Sequence, residues 1–142
     1  MPLISWVSAG LMKDVSDPYE VGSGVDEVTL DDARDVGPRA FALRVQGDSM
    51  LARPLGGDDS FADGDVIVVD PDAPIEPGRF VVAKTANQQE AVFKKYRPRG
   101  VDKNGQEIRE LAPLNQDYPT IRIDADNPGL IVGRVVRNIK KL

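Results

Sequence analysis

A mostly-β fold is predicted for this chain, and three features of the sequence predict it. Short runs alternate apolar and polar residues with period two. Clusters of Gly, Pro, Asp and Asn separate these runs at short intervals. No stretch sustains the 3.6-residue period of a helix. The expected architecture is a compact set of short antiparallel strands, curled and partly barrel-like, with irregular loops.

Taken in order, the chain opens with Pro2-Leu3-Ile4-Ser5-Trp6-Val7-Ser8-Ala9-Gly10, an apolar segment ending in two small residues. Leu11 to Pro38 is rich in Asp, Gly, Ser and Pro around Gly22-Ser23-Gly24 and reads as a mobile arm, with a short strand near Val25 to Leu30. Asp31, Asp32 and Asp35 lack the glycine-anchored spacing of a calcium loop and read as a solvated acidic turn. Strands follow at Ala40 to Val45, Asp65 to Val69, Glu107 to Ala112, Thr120 to Ile123 and Gly129 to Val136. A hairpin spans Arg79 to Tyr96 around Ala86-Asn87-Gln88. Arg53 to Asp63 reads as a loop, and Asp70 to Gly78 and Arg97 to Gln106 as turns. The chain thus divides into an arm and linker over residues 1–38 and a folded domain over residues 39–142.

The 142 residues suit one domain with a real core. The formal net charge of −5 repels a polyanion, so this region is not expected to read DNA itself. Arg134, Arg137, Lys140 and Lys141 read as the solvated side of a terminal strand. Leu130, Ile131, Val132, Val135 and Val136 exceed what such an edge leaves exposed, which predicts a homodimer contact there. There is no cysteine, no run of ~20 apolar residues and no signal-peptide layout, so a cytoplasmic location without membrane contact is expected. No metal or cofactor is called for.

Candidate chemistry centres on Gln46-Gly47-Asp48-Ser49-Met50, which closes one strand and opens a short non-strand segment that Pro54 stops. A serine at such a corner, after a flexible glycine, presents its hydroxyl and leaves nearby backbone N–H groups free to hold an oxyanion. Ser49 is therefore a candidate nucleophile. With no His and no Cys in the chain, a Ser/His/Asp triad and a thiol mechanism are excluded. A carboxylate or a neutral lysine remains as base, and lysine is the better choice. Of seven lysines, Lys13, Lys84, Lys103, Lys140 and Lys141 fall in polar, turn-entry or terminal stretches. Lys94 and Lys95 lie within an alternating strand, one on each face, and periodicity does not choose between them.

The Gly47-Asp48-Ser49-Met50 corner is followed by strands at Asp63 to Asp70, Pro77 to Ala83 and Glu90 to Tyr96. This order resembles that of the LexA-like self-cleaving repressors, a Ser/Lys peptidase family that includes LexA, UmuD and the lambda-type phage repressors. The resemblance spans nearly the whole chain. It implies Ser49 as nucleophile and Lys94 as general base, with Lys95 where the family often carries a second basic residue without catalytic role. It implies an oxyanion hole from the backbone N–H groups of Ser49 and Asp48. Residues 2–10 resemble the self-cleavage segment of phage repressors, which places the scissile bond between Ala9 and Gly10.

The resemblance further implies the C-terminal part of a repressor, dimeric, with DNA bound only through an N-terminal helix-turn-helix domain absent from these residues. An activated RecA filament is the implied partner that promotes cleavage. Two other readings stand beside it: a UmuD-like accessory of a translesion polymerase, and a non-cleaving dimerisation module. Signal peptidases share the Ser/Lys chemistry, but the missing membrane segment argues against them.

Overall fold

Among the described residues nine strands join in one open sheet, and the sequence explains where most of them lie. The computed structural model describes residues 1–10, 26–52, 60–86 and 90–141. In chain order these hold β1 (Pro2–Leu3), a single helical turn α1 (Trp6–Gly10), β2 (Asp26–Glu27), β3 (Phe41–Arg44), β4 (Val66–Asp70) and β5 (Phe80–Thr85). β6 (Val92–Val101), β7 (Glu107–Ala112), β8 (Ile121–Ile123) and β9 (Gly129–Ile139) complete them. The sheet runs β2-β1-β3-β4-β9-β5-β6-β7-β8, and every pair is antiparallel except β1 with β3.

The mostly-β expectation therefore holds, as a mixed sheet that does not close into a barrel. The predicted middle of the arm, Gly22-Ser23-Gly24, and most of the predicted loop Arg53 to Asp63 lie outside the described residues, as do Asn87 and Gln88 of the hairpin turn.

One strand end and one strand placement differ from the sequence reading. The turn expected at Arg97 begins later, because β6 continues through Pro98 to Val101 opposite β7. The ladder shifts register between Pro98 and Val101, and such an irregularity is where a strand tolerates a proline that has no N–H to give. More consequentially, β9 is not a terminal edge. It lies between β4 and β5, pairing Val69 with Val135 on one side and Val82 with Gly133 on the other. Its apolar residues are thereby explained within the fold: Val132 is fully buried, and Ile131 and Val135 pack against the two core clusters. An excess of exposed apolar side chains on β9 is thus no argument for a dimer. The basic tail is likewise engaged rather than simply solvated. Arg134 donates to Pro74 O and pairs with Glu76, Arg137 donates to Arg34 O, and Lys140 reaches Ser60 O and the buried Asp65.

The larger core unites Phe41, Leu43, Val45, Met50, Ile67, Val69, Val82, Phe93 and Val132 with Ile4 and Ala9 from the N-terminal segment. Phe61 packs edge-on to both Phe80 and Phe93, with ring centroids 4.9 and 4.8 Å apart, an arrangement that adds about 0.5–1.5 kcal/mol per pair beyond burial. A second cluster, Val81, Ala83, Leu111 and Ile123, lies on the other face of β5. Alternation along β5 and β6 sorts the two faces: Val82 stands opposite Phe93 in the first cluster, and Val81 stands opposite Lys94 on the side of the second.

Candidate active site

The corner after β3 is shaped by a glycine. Gly47 has φ +76°, a left-handed conformation that a side chain would strain, and its N–H donates to Asp63 Oδ1 at 2.8 Å. The chain then turns at once, Leu51 N–H donating back to Asp48 O at 3.1 Å, so that Ser49 and Met50 occupy the middle of the turn. Met50 is 2% exposed and plugs the core, which anchors the turn and leaves Ser49 half-buried at its outer side.

Lys94 meets it there. Its Nζ lies 2.8 Å from Ser49 Oγ and donates a hydrogen bond to it. Of the two strand lysines that alternation left open, Lys94 is the one brought to the serine. Val81 stands directly across the ladder, and Val92 and Tyr96, two positions away on either side, pack on the second cluster. Burial among these apolar neighbours holds the Lys94 ammonium below the ordinary lysine range, because the charged form loses part of its hydration there. The Tyr118 ring faces Nζ at 5.9 Å. A cavity of about 170 Å³ opens beside the pair, walled by Trp6, Val45, Gln46, Met50 and Glu90 to Lys94. Among the described residues no acceptor takes the N–H of Asp48 or Ser49.

The N-terminal segment reaches this cavity by one residue. β1 joins the sheet beside β3, with Ile4 N–H donating to Ala42 O at 2.9 Å. Trp6 then lines the cavity, its indole N–H donating to Arg44 O at 2.8 Å and its carbonyl accepting from Ala91 N–H at 3.3 Å. Residues 6–10 form a helical turn that Ser5 caps, its Oγ accepting from Ser8 N–H at 3.0 Å. Ala9 is 0% exposed and Gly10 is buried, and neither walls the cavity.

Two residues that the sequence reading passed over touch the corner from the connection between β7 and β8. Asn115, 8% exposed, donates from Nδ2 to Asp48 O at 3.2 Å and from its backbone N–H to Ser49 O at 2.9 Å. The Tyr118 hydroxyl donates to the Asp48 carboxylate, and that bond, with the carboxylate's charge, raises the phenol above its ordinary pKa. Both lie in a stretch without periodicity, and no local signal marks them. The acidic turn holds no metal-binding set: Asp32 pairs with Arg34, and among the described residues no cluster of Asp or Glu is arranged to hold an ion. Nor is any described helix long and apolar enough to cross a membrane.

Fold and site together define a β-sheet protein in which a serine hydroxyl and a partly desolvated lysine are hydrogen-bonded beside a cavity. The chain belongs to the Peptidase S24-like family, whose model matches residues 2–136. It is 40% identical over 137 residues to repressor protein C2 of Salmonella phage P22, covering 95% of this chain and 56% of that protein. It is 39% identical over 130 residues to an HTH-type transcriptional regulator for conjugative element R391 from Providencia rettgeri, covering 89% and 54%. A LexA repressor of Myxococcus xanthus is 34% identical over 144 residues, covering 100% and 58%. The chain spans about half the length of the curated relatives it matches.

Proposed function

We propose that this chain is the self-cleaving and dimerising part of a transcriptional repressor, cutting its own Ala9–Gly10 bond with Ser49 as nucleophile and Lys94 as general base. The observation that carries the reading is the 2.8 Å contact between Lys94 Nζ and Ser49 Oγ, made by a lysine whose burial favours the neutral amine. Neutral Lys94 takes the hydroxyl proton as Ser49 Oγ attacks the Ala9 carbonyl carbon. The oxyanion is held by the N–H groups of Ser49 and Asp48. Collapse breaks the Ala9–Gly10 bond, Lys94 returns the proton to the Gly10 amine, and an ester joins Ala9 to Ser49. Water, deprotonated by Lys94, then frees the Ala9 carboxylate and restores Ser49.

Burial of Ala9 and Gly10 in the capped turn supports a slow resting rate, since the bond must leave the core and extend before it reaches Ser49. Cleavage is then governed by the population of a docked, extended conformer, which tethering favours and a partner can raise. By resemblance that partner is an activated RecA filament, and DNA is bound by a helix-turn-helix domain in the remainder of the full-length repressor.

The same burial favours one other reading, a dimerisation module whose serine and lysine no longer cut. The relatives' names, two repressors and an HTH-type transcriptional regulator, support a repressor over a UmuD-like polymerase accessory. Incubating the 142-residue chain at alkaline pH and measuring intact mass separates cutting from non-cutting. Loss of residues 1–9 in the parent and not in Ser49→Ala is expected; an intact parent would leave the non-cutting module.

A further inference from the structure

We propose that Asn115 is a positioning residue for the nucleophile, fixing the peptide planes on either side of Ser49; this rests on the Ser49/Lys94 reading above. Asn115 stands 67 residues from Asp48 in sequence, yet it binds two successive carbonyls of the corner, Asp48 O through Nδ2 and Ser49 O through its backbone N–H. A trans peptide directs its N–H opposite to its C=O. Holding both oxygens toward Asn115 therefore turns the N–H groups of Ser49 and Met50 the other way. The first of these is one of the two amides proposed for the oxyanion. The same grip sets the Ser49 Cα–Cβ direction, and so the reach of Oγ to Lys94.

The two ends of the Asn115 side chain have separate tasks. Its Oδ1 accepts from Asp117 N–H at 3.0 Å, and its backbone carbonyl accepts from Tyr118 N–H at 3.2 Å, bonds that fold its own turn. Its Nδ2 alone among the side-chain atoms reaches the corner. Tyr118, placed by that turn, adds a second grip through its hydroxyl on the Asp48 carboxylate. No atom of Asn115 lies on the proton path, so its effect is on geometry only.

This separation supplies the test. Asn115→Asp keeps the acceptor for Asp117 and the side-chain size but removes the donor to Asp48 O, whereas Asn115→Ala removes both. Self-cleavage of the full 142-residue chain is followed across pH for the parent and both variants, with urea melts to establish folding. Both variants are expected to fold and to lose about 10- to 100-fold in the alkaline plateau rate. The pH midpoint of Asn115→Ala should stay parental, since Lys94 is untouched. Asn115→Asp cleaving at the parental plateau while Asn115→Ala is slow would reduce Asn115 to folding its own turn and overturn the proposal. A shifted midpoint with an unchanged plateau, or loss of the cooperative melt in both variants, would overturn it equally. A parent that does not cleave, or a Ser49→Ala chain that does, fails at the earlier step and removes the dyad reading itself.

Discussion

Lys94 Nζ and Ser49 Oγ, 45 residues apart in sequence, stand 2.8 Å apart, and the ladder of β5 with β6 sets Lys94 opposite Val81 and Lys95 opposite Phe80, on opposite faces of β6. That ladder register decides which strand lysine meets the serine. It also surrounds the amine with apolar side chains, and the consequences of both can be measured.

Lys94→Met should abolish self-cleavage, and Lys95→Met should leave it intact. In the parent the rate should climb with pH and level off once Lys94 is neutral. The Lys94 pKa is depressed on folding, so the unfolded chain binds more protons between the folded and unfolded values. Stability should therefore rise with pH across that window, by roughly 1.4 kcal/mol per unit of depression, and Lys94→Met should flatten the rise. Urea melts carried from neutral to alkaline pH read this directly. A dead Lys95→Met with an active Lys94→Met would mean that the other face of β6 supplies the base.

Ser5→Ala should accelerate self-cleavage. The Ser5 hydroxyl caps the turn that buries Ala9, and losing such a cap costs about 0.5–1 kcal/mol. If the bond must leave that turn to be cut, the rate should rise about 2- to 5-fold at fixed pH. An unchanged or lower rate in a gel-based time course would show that the turn does not restrain the reaction.

Tyr118 should ionise above the ordinary range of a phenol. Its bond to the Asp48 carboxylate raises the phenol pKa on folding, so the stabilisation is present below the unfolded value of about 10 and is lost as pH rises through the folded one. Ultraviolet titration should resolve a late phase in the parent that Asp48→Asn moves to lower pH.

Gly133→Ala should destabilise the sheet at its centre. A Cβ there would lie 2.7 Å from Val69 Cγ1 and 3.1 Å from the Asp70 backbone, where β9 crosses close to β4. A loss of about 1–3 kcal/mol is expected in urea melts, the usual cost of overpacking. No loss would mean that β9 and β4 separate easily at this point.

β9 lies inside the sheet, so a dimer contact there has to use the side chains that the core leaves uncovered. Val135 packs against the core, whereas Val136 lies in neither core cluster and lines an open groove with Phe80, Arg79 and Arg137. Val136→Asp should convert a dimer to monomer in sedimentation while the fold survives. A monomeric parent would end the dimer proposal.

By itself the sequence determined the strand content, since period-two alternation broken by turn residues admits little else. It also determined the kind of chemistry, because a chain without His or Cys leaves a corner serine only carboxylates and lysines as a base. The order of the strands was decided by the tertiary structure alone. Alternation sorts the two faces of a strand but names neither its neighbours nor the face turned to a distant corner, and so β9 read as an edge although it lies in the middle. The choice of Lys94 over Lys95 likewise follows from the residues alone only through family resemblance; its physical cause is a ladder register. Asn115 and Tyr118 leave no local trace, because their partner, Asp48, lies 67 and 70 residues away. Burial of Ala9 depends on its joining the larger core cluster, whereas its own small side chain is equally suited to an exposed arm. Local pattern depends on neighbours a few residues away, and the position of a catalytic group depends on partners that only the completed sheet brings near.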